Sequence, residues 1–200
     1  MACEEGCVTI MLDKLIPKGY HIYSDSVSCS EETQCAIVRK NKIKYLAIKG
    51  AKSHLFEGEF DGTVLICALS GKKVQILHEL FPYTKPYRLP PVGISIGLGD
   101  RFGLSIPGHT RAIKGKPVYS VFAQQSIREL NLTNRTFMDV VSAATYGVFE
   151  VGYKGGYAAD GDQLKLIKEI EYALSAGCTL ITLDCSEYIY ERYLGADKKL

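Results

Sequence analysis

The sequence lacks any apolar run long enough to cross a bilayer. Its longest, such as Thr63 to Leu69, fall far short of the roughly 20 residues a spanning helix needs. It lacks the basic-then-apolar leader of a secreted chain, because Glu4 and Glu5 occupy the opening stretch Met1 to Val8. It has no C-x-x-C pair. Its 7 cysteines, Cys3, Cys7, Cys29, Cys35, Cys67, Cys178 and Cys185, are odd in number. Without a leader they read as reduced thiols in a cytoplasm, and the sequons at Asn131 and Asn134 mean little. No basic block stands out, since 24 Lys and Arg nearly balance 22 Asp and Glu. Nucleic acid is therefore not the expected partner, and neither is a membrane. Repeats and low-complexity stretches are absent, as is G-x-S-x-G. His21, His54 and His78 form no ligand pair at metal spacing.

What is present is core-forming material, 46% hydrophobic over 200 residues, enough for one domain or two small ones. Residues 1–81 read as a small α+β region. Its strands are Ala36 to Arg39, Tyr45 to Ile48 and Thr63 to Leu69, with Asn41-Lys42 as a hairpin turn. A helix is expected over Gly71 to Phe81, where Val74, Leu77 and Phe81 keep helical spacing. Residues 82–91 contain Pro82, Pro86, Pro90 and Pro91 and read as a stiff linker.

From 92 to 200 strand and helix patterns alternate. Val92 to Leu98, Val118 to Ala123 and Thr179 to Leu183 read as strands, the last of buried type. Pro107 to Ile113 opens as a short helix with proline in its first turn. Thr136 to Phe149 is a helix with Phe137, Val140, Val141, Ala144 and Val148 on one face. Thr136 with Asp139, and Ser126 with Glu129, have capping-box spacing. Gly152 to Asp162 reads as a glycine-rich segment in which Asp162 caps a helix from Gln163 to Ala176. The alternation implies parallel strands with right-handed crossovers. Polar residues recur at the strand ends, the pattern of a (β/α) barrel's active face. The fold class expected is α/β, a small α+β region followed by the first βα units of a barrel-like parallel sheet, incomplete against the eight strands of a full barrel.

The candidate chemistry sits at those ends. Gly97-Leu98-Gly99-Asp100-Arg101-Phe102-Gly103 follows a strand. Arginine can grip a carboxylate in a fork and aspartate can accept from hydroxyls. The same pair could instead be a loop salt bridge or cap. The spacing G-x-G-x-x-x-G is one residue off the dinucleotide fingerprint. His109, near Arg111, reads equally as an anion contact or a structural group. Gln124 and Gln125 end the next strand, and Ser126 suits a cap better than a nucleophile. Asp160-Gly161-Asp162 offers two carboxylates as a base and a metal-side group, or a turn and a cap. Asp184 reads as a third carboxylate or a cap.

These segments together resemble the tagaturonate epimerase family. The resemblance runs through Gly99 to Gly103, Pro107 to Ala112, Phe122 to Glu129, Asn134-Arg135-Thr136, Ala144 to Phe149 and Gly156 to Lys165. It covers about residues 92 to 188 in one order, whereas residues before 82 match only in general character. It implies an isomerase on a barrel-like fold, interconverting D-tagaturonate and D-fructuronate in hexuronate catabolism. A retro-aldol and aldol sequence is chemically reasonable, with a base on the hydroxyl and a metal on the ketone. It implies Asp162 as the base, with Asp100, Arg101, His109, Gln124 and Gln125 holding a keto sugar acid.

The resemblance also implies a divalent metal, but Gln163 stands where the family has a histidine ligand, and Tyr188 lies in a stretch where it tends to have another. Family members continue past Leu200. The chain is thus read as a truncated or divergent epimerase, active only when further chain or a partner completes the barrel. The alternative is a non-catalytic remnant that binds a sugar acid or a partner subunit. A homo-oligomer and a partner chain are both left open.

Overall fold

The computed structural model describes residues 16–189. Cys3, Cys7 and the opening stretch read for a leader lie outside the described residues. The first part of the chain builds an antiparallel sheet. Its strands are β1 (His21–Ile22), β2 (Ser28–Ser30), β3 (Thr33–Lys40), β4 (Ile43–Gly50), β5 (Glu59–Asp61) and β6 (Val64–Ala68). They lie in the order β1-β3-β4-β6-β5, with β2 also on β3. The Asn41-Lys42 turn forms as expected. Both residues take positive φ, 50° and 69°, the geometry whose twist suits a two-residue hairpin. Helix α1 (Val74–Leu80) follows. It turns Val74, Leu77 and Leu80 onto Ile37, Leu46, Ile48 and Leu65 of the sheet.

The second part builds a parallel sheet in strictly sequential order, β7 (Ser95–Gly97), β8 (Tyr119–Ser126), β9 (Ala158–Leu164) and β10 (Leu180–Leu183). Sequential parallel order with helical crossovers is how a barrel wall is laid down. The crossovers hold α2 (Ile106–Ile113), α3 (Ile127–Thr133), α4 (Phe137–Glu150) and α5 (Ile167–Ser175). Both expected capping boxes are present, Ser126 with Glu129 on α3 and Thr136 with Asp139 on α4.

Three expectations need correction. Ala158–Leu164 is a strand, not a glycine-rich loop, and Asp162 lies on it and caps nothing. The true cap of α5 is Glu169, whose Oε2 accepts from the backbone N–H of Lys165 and Leu166. The segment has poor strand propensity, but ladders on both sides hold it, and tertiary pairing overrides propensity. Second, of the 92–98 run only Ser95–Gly97 is strand, at an edge of the sheet among the described residues; Ile94 and Leu98 add one backbone hydrogen bond each to β8, and Val92 and Ile94 stay exposed. Third, Thr179 to Leu183 is not a buried strand. β10 is the other edge among the described residues, and Leu183 is 59% exposed.

Helix α4 joins the two halves. Phe137, Val140, Val141, Ala144 and Val148 pack with Phe122, Tyr157 and Ala159 of the parallel half. Tyr146 and Phe149 pack with the antiparallel sheet and α1. Phe149 is fully buried, its ring centroid 5.3 Å from Phe81. Lys44 Nζ reaches Glu150 Oε2 at 2.5 Å, tying β4 to the end of the helix.

A buried polar chain crosses the same junction. Tyr157 Oη donates to the Thr84 carbonyl at 2.8 Å, so it must accept from Thr145 Oγ1 at 3.1 Å. Thr145 in turn accepts from His78 Nε2 at 2.9 Å. This direction places a proton on His78 Nε2. Burial, aided by Lys85, lowers its pKa from 6.5 to about 4. The folded state then binds a proton less readily than the unfolded chain. Stability is full above the unfolded value and falls as pH drops from 6.5 towards about 4. Thermal melts across that range should show a falling midpoint, and His78→Gln should flatten this part of the profile. A slope equal in both proteins would exclude His78 as its source.

Candidate functional site

Parallel strands bring their C-terminal ends to one edge of the sheet, so the β7–α2 loop, the end of β8 and the end of β9 are neighbours. The loop organises itself first. Asp100 is 8% exposed, and its carboxylate faces its own backbone. Oδ1 accepts from Gly103 N at 2.9 Å and from Phe102 N at 3.3 Å, and Oδ2 accepts from Ser105 N at 2.5 Å. Arg135 holds the same loop from outside. Its Nη1 donates to the Arg101 carbonyl at 2.8 Å and its Nη2 to the Asp139 carbonyl at 3.0 Å. Gly103 is required here. It has φ +72°, and a Cβ would stand 2.7 Å from Ala143 Cβ.

Like Phe102 and Leu104, Arg101 is exposed on the loop. Its Nε donates to Glu129 Oε1 at 2.5 Å, and its side chain is 65% exposed.

On the strands, alternation separates two faces. Ala123 and Ala159 enter the core beneath the helices, and Leu164 joins them because Gln163, at φ 53°, breaks the alternation. Asp160 and Asp162 therefore share the opposite face of β9. Gln124 pairs in register with Asp160, and Ser126 with Asp162. Gly97 leaves room for Gln124, since a Cβ there would run into its amide. Asp160 is 1% exposed. Its Oδ2 accepts from Thr182 Oγ1 at 2.7 Å, across to β10. Its Oδ1 makes no well-formed hydrogen bond, with the Gln124 amide beside it. Burial raises the pKa of Asp160, against the pull of Thr182 and Gln124. Burial, then the nearby Glu129 charge, raises that of Asp162.

Gln125 is also 1% exposed, and neither end of its amide has a partner. His109 is half-buried on α2, and its Nδ1 is likewise buried without a partner. Gln125 pairs in register with Gly161, which faces the helices, so it lies on the other side of the sheet from Asp160. An unpaired buried polar atom such as Asp160 Oδ1 costs about 1–3 kcal/mol. Asp184 behaves differently. Its Oδ1 accepts from Ser186 N at 2.9 Å, and Ser186 then Lys165 hold its carboxyl below the usual range.

Gln124, Gln125 and Asp162 thus end adjacent strands, with Asp100 and Arg101 in the loop after β7, whereas His109 stands one element away on α2. The sequence reading gave no role to Thr182, to Arg135 or to Glu129 beyond its cap. Asp160 was read with Asp162 as a pair of carboxylates, but the segment was not read as a strand, so their shared face went unseen. No three His, Cys, Asp or Glu side chains among the described residues stand together to hold a metal ion. Gln163, at the expected ligand position, adopts φ 53°. The described residues do not make up the metal site the resemblance implies.

Comparison with known proteins adds the following. The sequence model of the family described as tagaturonate epimerase matches residues 23–199. A tagaturonate/fructuronate epimerase of Thermotoga maritima is 33% identical over 178 residues, which is 86% of this chain and 37% of that protein. The native crystal structure of fructuronate-tagaturonate epimerase from Cohnella laeviribosi superposes with a TM-score of 0.86 at 38% identity. A complex of the same enzyme with one glycerol also gives 0.86, at 37% identity. Both comparisons cover 96% of this chain and 40% of the solved one. The chain therefore spans well under half the length of these relatives.

The loop geometry yields a stability prediction. Asp100→Asn removes one acceptor and turns an amide N–H₂ towards backbone donors. It should cost roughly 1–3 kcal/mol, read as a lower midpoint in urea. An unchanged midpoint would mean the loop does not depend on this carboxylate.

Proposed function

The chain belongs to the tagaturonate epimerase family, and from that premise we propose that it supplies the opening half of a hexuronate epimerase. The substrate is a keto sugar acid, D-fructuronate or D-tagaturonate. Further polypeptide, a continuation of this chain or a partner chain, closes the barrel. The observation that supports this reading best is the row of polar groups on one face at the ends of adjacent strands, Gln124, Asp160 and Asp162, with one oxygen of Asp160 buried and unpaired. A polyhydroxylated ligand supplies both donors and acceptors to such a row.

In this reading Arg101 takes the substrate carboxylate, on the loop that Asp100 holds in shape. Gln124, on the face of Asp160 and Asp162, takes hydroxyls and the ketone, whereas Gln125 faces the helices and His109 stands on α2. Asp162, whose pKa is raised by burial and by Glu129, is the base. It takes the proton of the hydroxyl β to the ketone. The bond from that carbon to the α carbon breaks, leaving an aldehyde and an enolate. The aldehyde presents its other face, the enolate carbon re-forms the bond, and Asp162 returns the proton to the new alkoxide. The divalent cation that the family implies draws, in this proposal, on donors outside the described residues.

A second reading is a non-catalytic member that binds a sugar acid or a partner subunit. Gln163 at the expected ligand position favours it.

Calorimetry tests the binding step. Arg101→Ala should weaken fructuronate about tenfold to a hundredfold, since a hydrogen bond to a charged group is worth about 1.5–3 kcal/mol. Arg101→Lys should recover only part, because lysine lacks the planar fork. Fructose, which has no carboxylate, should bind poorly and ignore both changes. Equal affinity for acid and ketose would refute the carboxylate contact. Binding without turnover would favour the second reading.

A further inference from the structure

We propose that Glu129 is a positioning residue, which holds Arg101 by one nitrogen so that its two terminal nitrogens stand free as a fork for the substrate carboxylate. This rests on the sugar-acid reading given above. Glu129 has two oxygens and uses them differently. Oε2 accepts from Ser126 N at 3.4 Å, completing the capping box of α3. Oε1 accepts from Arg101 Nε at 2.5 Å. Glu129's side chain is only 16% exposed, so it is anchored, whereas that of Arg101 is 65% exposed.

An arginine bound through Nε alone keeps its guanidinium oriented while both Nη groups remain donors. Neither Nη of Arg101 makes a hydrogen bond among the described residues. The backbone is fixed as well, because Arg135 Nη1 donates to the Arg101 carbonyl and the Asp100 carboxylate closes the turn beneath it. A loop arginine that would otherwise sample many rotamers is ordered before any ligand arrives. The capping role alone explains Oε2 and leaves the Arg101 contact unaccounted for.

Glutamine at 129 has one acceptor oxygen for two donors, so Glu129→Gln should keep the cap or the Arg101 contact, not both. Nitrogen-15 NMR of the Arg101 Nε–H reads the ordering directly, and calorimetry with fructuronate reads its consequence. Wild type should show a slowly exchanging Arg101 Nε–H that exchanges faster in Glu129→Gln and in Glu129→Ala. Ordering an immobilised side chain is worth about 0.5–1.5 kcal/mol, so the variants should bind fructuronate about twofold to tenfold more weakly. In an Arg101→Ala background, Glu129→Gln should cost no further affinity, because nothing is left to position.

Equal Nε–H exchange in wild type and variants would overturn the proposal. So would an affinity loss that persists in the Arg101→Ala background. A protected Nε–H in a protein that binds no fructuronate would overturn the sugar-acid reading instead, leaving Glu129 as the group that orders Arg101.

Discussion

Helix α4 is the constraint on which the rest of the molecule depends. It is buried on two sides, by the parallel sheet along Phe137, Val140, Val141, Ala144 and Val148, and by the antiparallel sheet along Tyr146 and Phe149. A helix apolar nearly all round is stable only in such a setting. Most helical stability comes from packing rather than propensity, so neither layer alone would hold it in this form. The junction is also polar. The His78–Thr145–Tyr157–Thr84 chain and the Lys44–Glu150 pair cross it. Buried polar groups of this kind are costly if misplaced, so they favour one relative placement of the two layers. The N-terminal end of α4 extends that placement to the strand ends, because Arg135, just before the helix, braces the Asp100 loop against Asp139.

At the strand ends the balance is different. The Asp100 loop is satisfied by its own backbone, while one oxygen of Asp160 is buried and unpaired. Local rules broken in one place, inside a fold that otherwise obeys them, are characteristic of functional sites. Glycines at 97 and 103 allow the close approach, the first to the Gln124 amide and the second to Ala143. The edge therefore combines a rigid loop, one exposed guanidinium and two carboxyl groups with raised pKa values. The Arg101 contact with Glu129 lets a single capping residue serve both the helix and the loop.

Much of this was legible in the sequence because local chemistry fixed it. Asn41-Lys42 makes its turn with two residues in left-handed backbone, and both capping boxes are written as spacing. The apolar stripe of α4 is periodic. Strand β9 was not legible, because Ala158-Ala159-Asp160-Gly161-Asp162 has no β-branched or aromatic residue. Its strand exists because β8 and β10 flank it, and a single segment cannot show that. Reading Asp162 as a cap followed from the same omission. The edge position of β10 was hidden too, since Leu180-Ile181-Thr182-Leu183 looks buried whether or not a further strand covers it. Arg101 with Glu129 is a contact across 28 residues, beyond the reach of local pattern.

The central claim is that the ligand binds at the C-terminal edge of the parallel sheet. Amide NMR of the protein titrated with fructuronate tests it most directly. The claim predicts that signals move around Gly97 to Gly103, Gln124 to Ser126 and Asp160 to Asp162, with fructose moving far fewer. Movement confined instead to the groove lined by Lys42, Lys44, Ser70 and Tyr146, or no movement at saturating fructuronate, would contradict it.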